Sequence, residues 1–145
     1  TVTADDVEPG TWAMAQRGEG YTAPDFIRAQ GILGDWRRSM ASWWNDFDVL
    51  VTPTTAQPPA RIGELTPTDD DPVRGSKGSL PYSVYTSPFN CTGQPAISLP
   101  MGSSDGLPIG VQLVGAYGRE DLLLSVGGQL ERLENWSANR APIHA

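Results

Sequence analysis

The chain contains one cysteine and one histidine among its 145 residues. The single cysteine, Cys91, excludes an internal disulfide framework. The same scarcity excludes a metal site built from clustered cysteine and histidine side chains, and we expect no metal or other cofactor. The one histidine, His144, is expected in a disordered tail near the end of the chain. A local Ser-His-Asp triad is therefore excluded unless that tail folds back into a cleft.

Basic residues and long apolar runs are also scarce. Ten basic residues against seventeen acidic ones give a net charge of −7, which argues against nucleic acid and against an anionic membrane surface as partners. No run approaches eighteen apolar residues, so we expect no membrane span. Residues 1–10 show no signal peptide, and we expect a cytoplasmic protein. Because the first residue is Thr1, we expect a cut chain or a segment of something longer.

Glycine and proline, in contrast, are abundant. Sixteen glycines and thirteen prolines make up about a fifth of the chain, against roughly an eighth in average proteins. Many loops are therefore expected. The chain nevertheless has 39% apolar residues and five tryptophans, which is far too much apolar surface for a disordered segment. The composition therefore predicts a folded chain.

Two helices are predicted in the first third of the sequence. The first spans residues 3–17, with acidic residues in its first turn and Pro9 as a point where it could break. The second spans residues 22–47, because Thr22 is a good N-cap and apolar side chains then recur every three or four positions. We interpret this apolar face as core that packs on a sheet: Phe26, Ala29, Leu33, Trp36, Met40, Trp43 and Phe47.

A short strand and a long loop follow. Residues 48–52 read DVLVT, a β-branched run typical of a strand buried on both faces. Residues 53–81 contain six prolines, an acidic run and the small-residue stretch GSKGS. A segment of this length without a pattern is usually either mobile or functional, and we interpret it as mobile.

The second half predicts a β-hairpin and a last helix. Two apolar stretches within residues 95–115 flank Asp105-Gly106, a strong signal for a two-residue hairpin turn. Period-two alternation then fixes the relative positions of the side chains in an antiparallel pair. Residues 119–136 carry leucines and valine on one helical face. The elements together predict an α/β fold with helices packed on a sheet that includes an antiparallel hairpin.

Two separated motifs carry a resemblance to a known family. Residues 46–55 read DFDVLVTPTT, and residues 87–131 read SPFNCTGQPAISLPMGSSDGLPIGVQLVGAYGREDLLLSVGGQLE. In order and spacing these resemble the C-terminal portion of the amidase signature hydrolases. The tryptophan-rich helix before the first motif is similar to the branch that contains cyclic amide and oligoamide hydrolases. The resemblance implies that residues 1–145 are the C-terminal part of that family's mixed-sheet fold.

The resemblance also implies a chemistry. These hydrolases cleave amide bonds with a serine nucleophile that a second serine and a lysine activate, and backbone N–H groups stabilise the oxyanion. In the family these groups lie in an N-terminal half, within a segment like GGSSGGS and on an upstream lysine. The lysine here, Lys77, lies in RGSKGSLP, and a lysine in a solvated loop is a poor base. We therefore expect no catalytic residue in this chain and no activity from it alone.

What the resemblance leaves to this chain is part of the sheet and one wall of the substrate pocket. The candidate substrate-binding residues are Ser83, Thr86, Phe89 and Asn90, although Asn90 is also a good candidate for tying loop backbone together. Ser83 stands where glutamine-using amidotransferase relatives carry an acidic residue that recognises an amino group. A hydroxyl cannot form an ion pair with ammonium, so the resemblance implies a neutral amide substrate. Cys91 is interpreted as a small buried filler.

Two other interpretations remain open. The chain could be a stand-alone noncatalytic domain that binds a partner through its sheet edge, or the amidase-like subunit of an aminoacyl-tRNA amidotransferase, which Ser83 disfavours. The leading hypothesis predicts the N-terminal half of the same enzyme as the partner. Because that half would cover a sheet edge and an apolar face, the chain alone is expected to self-associate, and a homo-oligomer is an expectation.

Overall fold

The structure, a computed structural model, describes residues 2–138. The prediction for His144 lies outside these residues. In chain order the described part contains five α-helices and three β-strands: α1 (Pro9–Gly18), α2 (Ala23–Trp43), β1 (Val49–Pro53), α3 (Arg74–Ser79), α4 (Ser87–Thr92), β2 (Ala96–Ser104), β3 (Leu107–Gly115) and α5 (Glu120–Glu134). This is a mixed α/β architecture, as the sequence predicts.

The first predicted helix is broken near Pro9. Ala4–Asp6 form one turn of 3₁₀ helix, and α1 then begins with Pro9 as its first residue. Proline lacks an N–H group, and the first helical position is where that group is not needed. The predicted span 3–17 therefore contains a short turn and a separate helix, with the break near Pro9 that the sequence left open, and the proline starts the helix rather than lying inside one.

Helix α2 begins as predicted but ends earlier. The backbone N–H of Thr22 donates to the Asp25 carboxylate at 3.0 Å, and the backbone N–H of Asp25 donates to the Thr22 hydroxyl at 3.4 Å, which closes a capping box. The helix ends at Trp43 instead of Phe47, and the chain continues in turns that place the Trp43 and Phe47 rings in a stack. No helix within residues 2–138 is long and apolar enough to cross a membrane.

The apolar face of α2 does not form core in the described part of the chain. None of the residues of α2 is buried, and Phe26 is 64% exposed. The helix packs on α4 rather than on the sheet, and Arg37 Nε donates to the backbone oxygen of Cys91 at 2.6 Å. The interpretation of this face as core on a sheet is therefore wrong, because periodicity identifies a face but not what covers it.

The sheet has the order β1–β3–β2, and both pairs are antiparallel. The predicted hairpin is confirmed: Ala96 lies opposite Val114 and Leu99 opposite Val111. Asp105 and Gly106 form the turn with φ angles of 51° and 78°. Positive φ at both central residues gives the twist that two antiparallel strands need.

The core lies between the hairpin and α5. Leu99 of β2, Leu113 of β3 and Leu123 of α5 are its buried residues, with Ile97 and Val111 packed against them. Alternation along the strands places these hairpin side chains on one face. The last helix occupies most of the predicted range of 119–136 and ends before Asn135, whose left-handed backbone terminates it.

Strand β1 lies at an edge of the sheet and pairs only with β3 within residues 2–138. Val51 is 60% exposed, so the expectation of a strand buried on both faces is wrong for the described chain. The β-branched run does form a strand. The side of β1 that carries Val51 is open because the described elements that pack on the sheet cover the hairpin rather than β1.

The segment 53–81 is not a continuous loop. Residues 74–79 form α3, which contains Lys77 and packs on α1. Gly78 lets α3 lie close to Leu65, because a Cβ there would lie 2.6 Å from Leu65 Cδ2. The interpretation of RGSKGS as flexible loop is therefore wrong, since its glycines allow close contact with a distant leucine.

Candidate functional site

The face of the sheet opposite α5 carries hydroxyl and amide groups. Thr52 of β1 and Ser98 of β2 lie on either side of Gln112 of β3. Thr54, just after β1, extends the pairing, because its backbone N–H donates to the Gly110 oxygen at 2.9 Å. We call these residues the polar face: Thr52, Thr54, Ser98, Gly110 and Gln112.

Two hydroxyl groups of the polar face meet above the central strand. Thr54 Oγ1 and Ser98 Oγ are 2.6 Å apart and share a hydrogen bond. The residue beneath them is Gly110, and a Cβ at that position would lie 2.7 Å from each oxygen. The absence of a side chain at Gly110 therefore allows Thr54, just after β1, and Ser98 of β2 to pair across β3.

Gln112 is the buried polar residue of this face, at 4% exposure. Its Nε2 donates to Thr52 Oγ1 at 3.0 Å and to the backbone oxygen of Tyr85 at 2.9 Å. A buried amide is costly unless it is hydrogen-bonded, and these two bonds satisfy both of its N–H groups. Gln112 thus joins two strands to the segment that precedes α4.

Two of the predicted pocket residues, Ser83 and Thr86, lie in that segment. Both are half-buried. The Ser83 hydroxyl donates to the Leu80 oxygen at 3.3 Å, and the Thr86 hydroxyl donates to the Ser83 oxygen at 3.2 Å. The two side chains are thus held within a tight turn, and each offers a neutral hydroxyl oxygen as an acceptor.

The other two predicted pocket residues lie on α4 and have different environments. Phe89 is 7% exposed and meets the Trp44 ring edge to face at 6.4 Å, so it packs inside the chain. Asn90 is exposed, and its side chain makes no hydrogen bond to the described residues. It therefore does not tie loop backbone together here. Cys91 is half-buried rather than fully buried.

An open cleft of about 470 Å³ lies beside this region. It is lined by the last turns of α2, the link between α4 and β2, and the turn after β3: Arg37, Arg38, Ala41, Trp44, Asn45, Thr92, Gln94, Ala116 and Tyr117. None of the four predicted pocket residues is among them. The structure therefore does not gather those four residues around this cleft.

The shifted pKa values belong to exposed residues that are not part of the polar face. Hydrogen bonds from Thr22 lower the pKa of Asp25, and the Thr3 backbone N–H lowers that of Asp6. The Arg119 side chain lowers the pKa of Asp121, and its own pKa is raised by the same hydrogen bond. Each shift has a local structural cause in a helix start.

The chemistry of the polar face is hydrogen bonding. The described residues contain no group of three or more His, Cys, Asp or Glu side chains that could hold a metal ion. The polar face supplies hydroxyls and one amide, all neutral. Such groups orient a polar substrate or a neighbouring segment, and proton transfer would need groups from elsewhere.

The sequence reasoning missed the polar face. The signals were a glutamine inside the apolar strand IGVQLVG and two threonines spaced by two in VTPTT. Alternation alone would have placed the threonines on one face. What the sequence does not show is the pairing of β1 with β3, which joins residues 60 positions apart.

Comparison with known proteins shows which family this sequence and fold resemble. The sequence model of the amidase family matches residues 4–124. The chain belongs to the amidase family. The observed fold agrees with the fold expected from the two motifs, because solved amidase structures superpose on it.

Two curated amidase-family proteins and one solved structure give the scale of the match. The chain is 44% identical to the 6-aminohexanoate-cyclic-dimer hydrolase of Paenarthrobacter ureafaciens over 98% of its length. It is 41% identical to a putative amidase AmiC of Mycobacterium tuberculosis over 73% of its length. A solved 6-aminohexanoate cyclic dimer hydrolase superposes with a TM-score of 0.87 and 44% identity, over 97% of this chain and 30% of that one.

The chain spans only part of these proteins. It covers 30% of the Paenarthrobacter hydrolase and 22% of the mycobacterial protein. It is thus similar to a segment of an amidase.

Proposed function

We propose that this chain forms the C-terminal part of an amide hydrolase and supplies a three-stranded sheet and one wall of its substrate pocket. The single observation that carries the proposal is the match over almost the whole chain to about a third of a 6-aminohexanoate-cyclic-dimer hydrolase.

We further propose a neutral amide as the substrate, with a cyclic amide as the first choice. The relatives at 44% identity are named for hydrolysis of a cyclic dimer, and a cyclic amide has no free amino or carboxyl end. The wall at Ser83 and Thr86 presents hydroxyl groups and no charge. Neutral hydrogen-bonding groups suit an amide and give no ion pair to an ammonium group.

In the proposed reaction this chain binds and orients the substrate. A serine oxygen from the N-terminal half attacks the amide carbon, and its proton passes through a second serine and a lysine to the leaving nitrogen. Water then releases the acid from the acyl-enzyme. The residues at 83–90 would hold the amide at the distance that attack requires, and orientation of this kind contributes strongly to rate. We also propose a cytoplasmic location.

A chimaera tests the proposal. The segment of the Paenarthrobacter hydrolase that aligns with this chain is replaced by residues 1–145, and hydrolysis of 6-aminohexanoate cyclic dimer is followed by amine release. We expect activity from the chimaera and none from residues 1–145 alone. The unmodified Paenarthrobacter hydrolase is the positive control. A chimaera that folds but hydrolyses neither cyclic nor linear amides refutes the proposal and favours a stand-alone binding domain.

Substrate class is tested with Ser83→Asp in the same chimaera. A carboxylate at this position supplies the charge that an ammonium group needs, so the ratio of activity on a linear amide with a free amino group to activity on the cyclic dimer should rise. Ser83→Ala is the matched control, because it removes the hydroxyl without adding charge. If the ratio is unchanged in Ser83→Asp, the assignment of residue 83 to the pocket wall is wrong.

A further inference from the structure

Gln112 lies at the centre of the polar face. It lies in the central strand β3, between Thr52 of β1 and Ser98 of β2. At 4% exposure it is a polar side chain in a row of buried apolar neighbours, Leu113 and Val114 among them. A buried amide is tolerated when its N–H groups are hydrogen-bonded, and Gln112 makes two such bonds.

One of those two bonds holds the segment 80–86 to the sheet. The other hydrogen bonds of that segment in the described part of the chain are local and join residues three or four apart. The bond from Gln112 Nε2 to the Tyr85 oxygen joins residues 27 apart. It is therefore the hydrogen bond that determines where this segment lies relative to β3.

The segment contains the two candidate pocket residues that offer hydroxyls. Tyr85 lies between Ser83 and Thr86 in the chain, so a hydrogen bond to its carbonyl restrains the backbone at both residues. The Thr86 hydroxyl is in turn bonded to the Ser83 oxygen at 3.2 Å. A shift of the Tyr85 carbonyl would thus move both side chains together.

We infer that Gln112 is a positioning residue that sets substrate affinity by fixing the segment 80–86 against the sheet. The inference rests on the proposed function for its effect on substrate. It assigns Gln112 no contact with the reacting atoms. Gln112 acts through the Tyr85 carbonyl, which it holds at 2.9 Å.

The inference requires an N–H donor at this position. Gln112→Leu places an apolar side chain of similar size at this position and leaves the Tyr85 carbonyl without its donor. Gln112→Glu places a carboxylate beside that carbonyl, and two acceptors repel. Loss of a bond to a buried carbonyl typically changes an equilibrium about tenfold. A tenfold increase in the open state of the segment is therefore the expected scale.

The experiment uses the chimaera with and without each substitution. Hydrogen exchange measured by mass spectrometry follows the amides of residues 80–86 and, separately, those of β2 and β3. Steady-state kinetics on the cyclic dimer give KM and kcat. For Gln112→Leu we expect exchange in the segment to rise about tenfold with the hairpin unchanged, and KM to rise about tenfold with kcat within about twofold.

Two variants serve as matched controls. Thr52→Val removes the other partner of Gln112 and leaves the Tyr85 bond in place, so exchange in the segment should stay within about twofold of the parent. Ser98→Ala changes the residue on the other side of Gln112, which makes no hydrogen bond to the segment. If either control releases the segment as strongly as Gln112→Leu does, the inference is wrong.

Gln112→Glu provides a second route should Gln112→Leu not fold. A protonated carboxyl group can donate to the Tyr85 carbonyl, so protection of the segment should return as pH falls through the pKa of the new side chain. Unchanged exchange in the segment overturns the inference, and so does an equal rise across β2 and β3, which marks a general structural role. Released exchange with an unchanged KM also overturns it. An inactive parent chimaera counts against the proposed function alone, since exchange still shows whether Gln112 holds the segment.

Discussion

Gly110 has a steric reason to be glycine that can be tested directly. In Gly110→Ala the new Cβ would lie 2.7 Å from Ser98 Oγ, 2.7 Å from Thr54 Oγ1 and 3.1 Å from Thr54 Cβ. Carbon atoms do not approach oxygen atoms so closely. Both hydroxyl groups must therefore rotate away, and the bond of 2.6 Å between them is lost.

The expected cost follows from three effects. Each displaced side chain costs about 0.5–1.5 kcal/mol when it leaves its rotamer, and loss of the hydrogen bond costs about 1 kcal/mol. Alanine also restricts the unfolded chain, which offsets about 0.4–1 kcal/mol. The backbone of Gly110 does not have positive φ, so no backbone strain is added. The free energy of unfolding should fall by about 2 kcal/mol.

Urea unfolding followed by tryptophan fluorescence measures this change in the purified chain at low concentration. Gly102→Ala is the matched control in the same hairpin, because its Cβ would lie 3.8 Å from the nearest atom, Ile109 Cβ. The control should change the unfolding free energy by less than about 0.5 kcal/mol. The double variant Ser98→Ala/Gly110→Ala should recover part of the loss. Equal losses at Gly110 and Gly102, or no recovery, refute the steric explanation.

Three further predictions concern the start of α2, the hairpin turn and the open sheet edge. Hydrogen bonds from Thr22 lower the pKa of Asp25 from its ordinary value of 3.8. The charged carboxylate therefore stabilises the start of α2 above pH 3.8, and this stabilisation is lost as pH falls through the lowered pKa. Helicity measured by circular dichroism should drop over that pH range, and Asp25→Asn should abolish the drop. Gly106→Val should destabilise the chain by about 1 kcal/mol or more in urea unfolding, because valine resists the φ of 78°; an unchanged midpoint contradicts the turn assignment. The chain alone should self-associate in analytical ultracentrifugation through β1, and Val51→Lys should weaken that association; a compact parent monomer at high micromolar concentration would argue against it.

The features that the sequence predicts well have local causes. The hairpin follows from Asp105-Gly106 and from alternation within a few residues on either side. The start of α2 follows from Thr22 and the carboxylate three positions later. In both, the residues that determine the structure are neighbours in the sequence, so their physical effect can be inferred without knowing the rest of the fold.

The features that the sequence does not predict depend on distant contacts. In the helix at residues 74–79, Gly78 lies close to Leu65, and neither residue identifies the other in the sequence. The polar face relies on the pairing of β1 with β3, which brings Thr52 to Gln112. The apolar stripe of α2 indicates a buried face, yet what covers it is a property of other elements. The pocket wall at Ser83–Asn90 stays a prediction from the resemblance.

The order β1–β3–β2 has a consequence for how the sheet assembles. Strands β2 and β3 are joined by two residues, and a hairpin of this kind forms in about 1–10 μs. Strand β1 must instead close a loop in which Thr52 meets Gln112, 60 positions away, at a larger entropic cost. We therefore expect the hairpin to form first and to act as the template on which β1 docks. Substitutions in the hairpin turn should then slow refolding, whereas substitutions in β1 should mainly speed unfolding, and stopped-flow kinetics distinguishes the two.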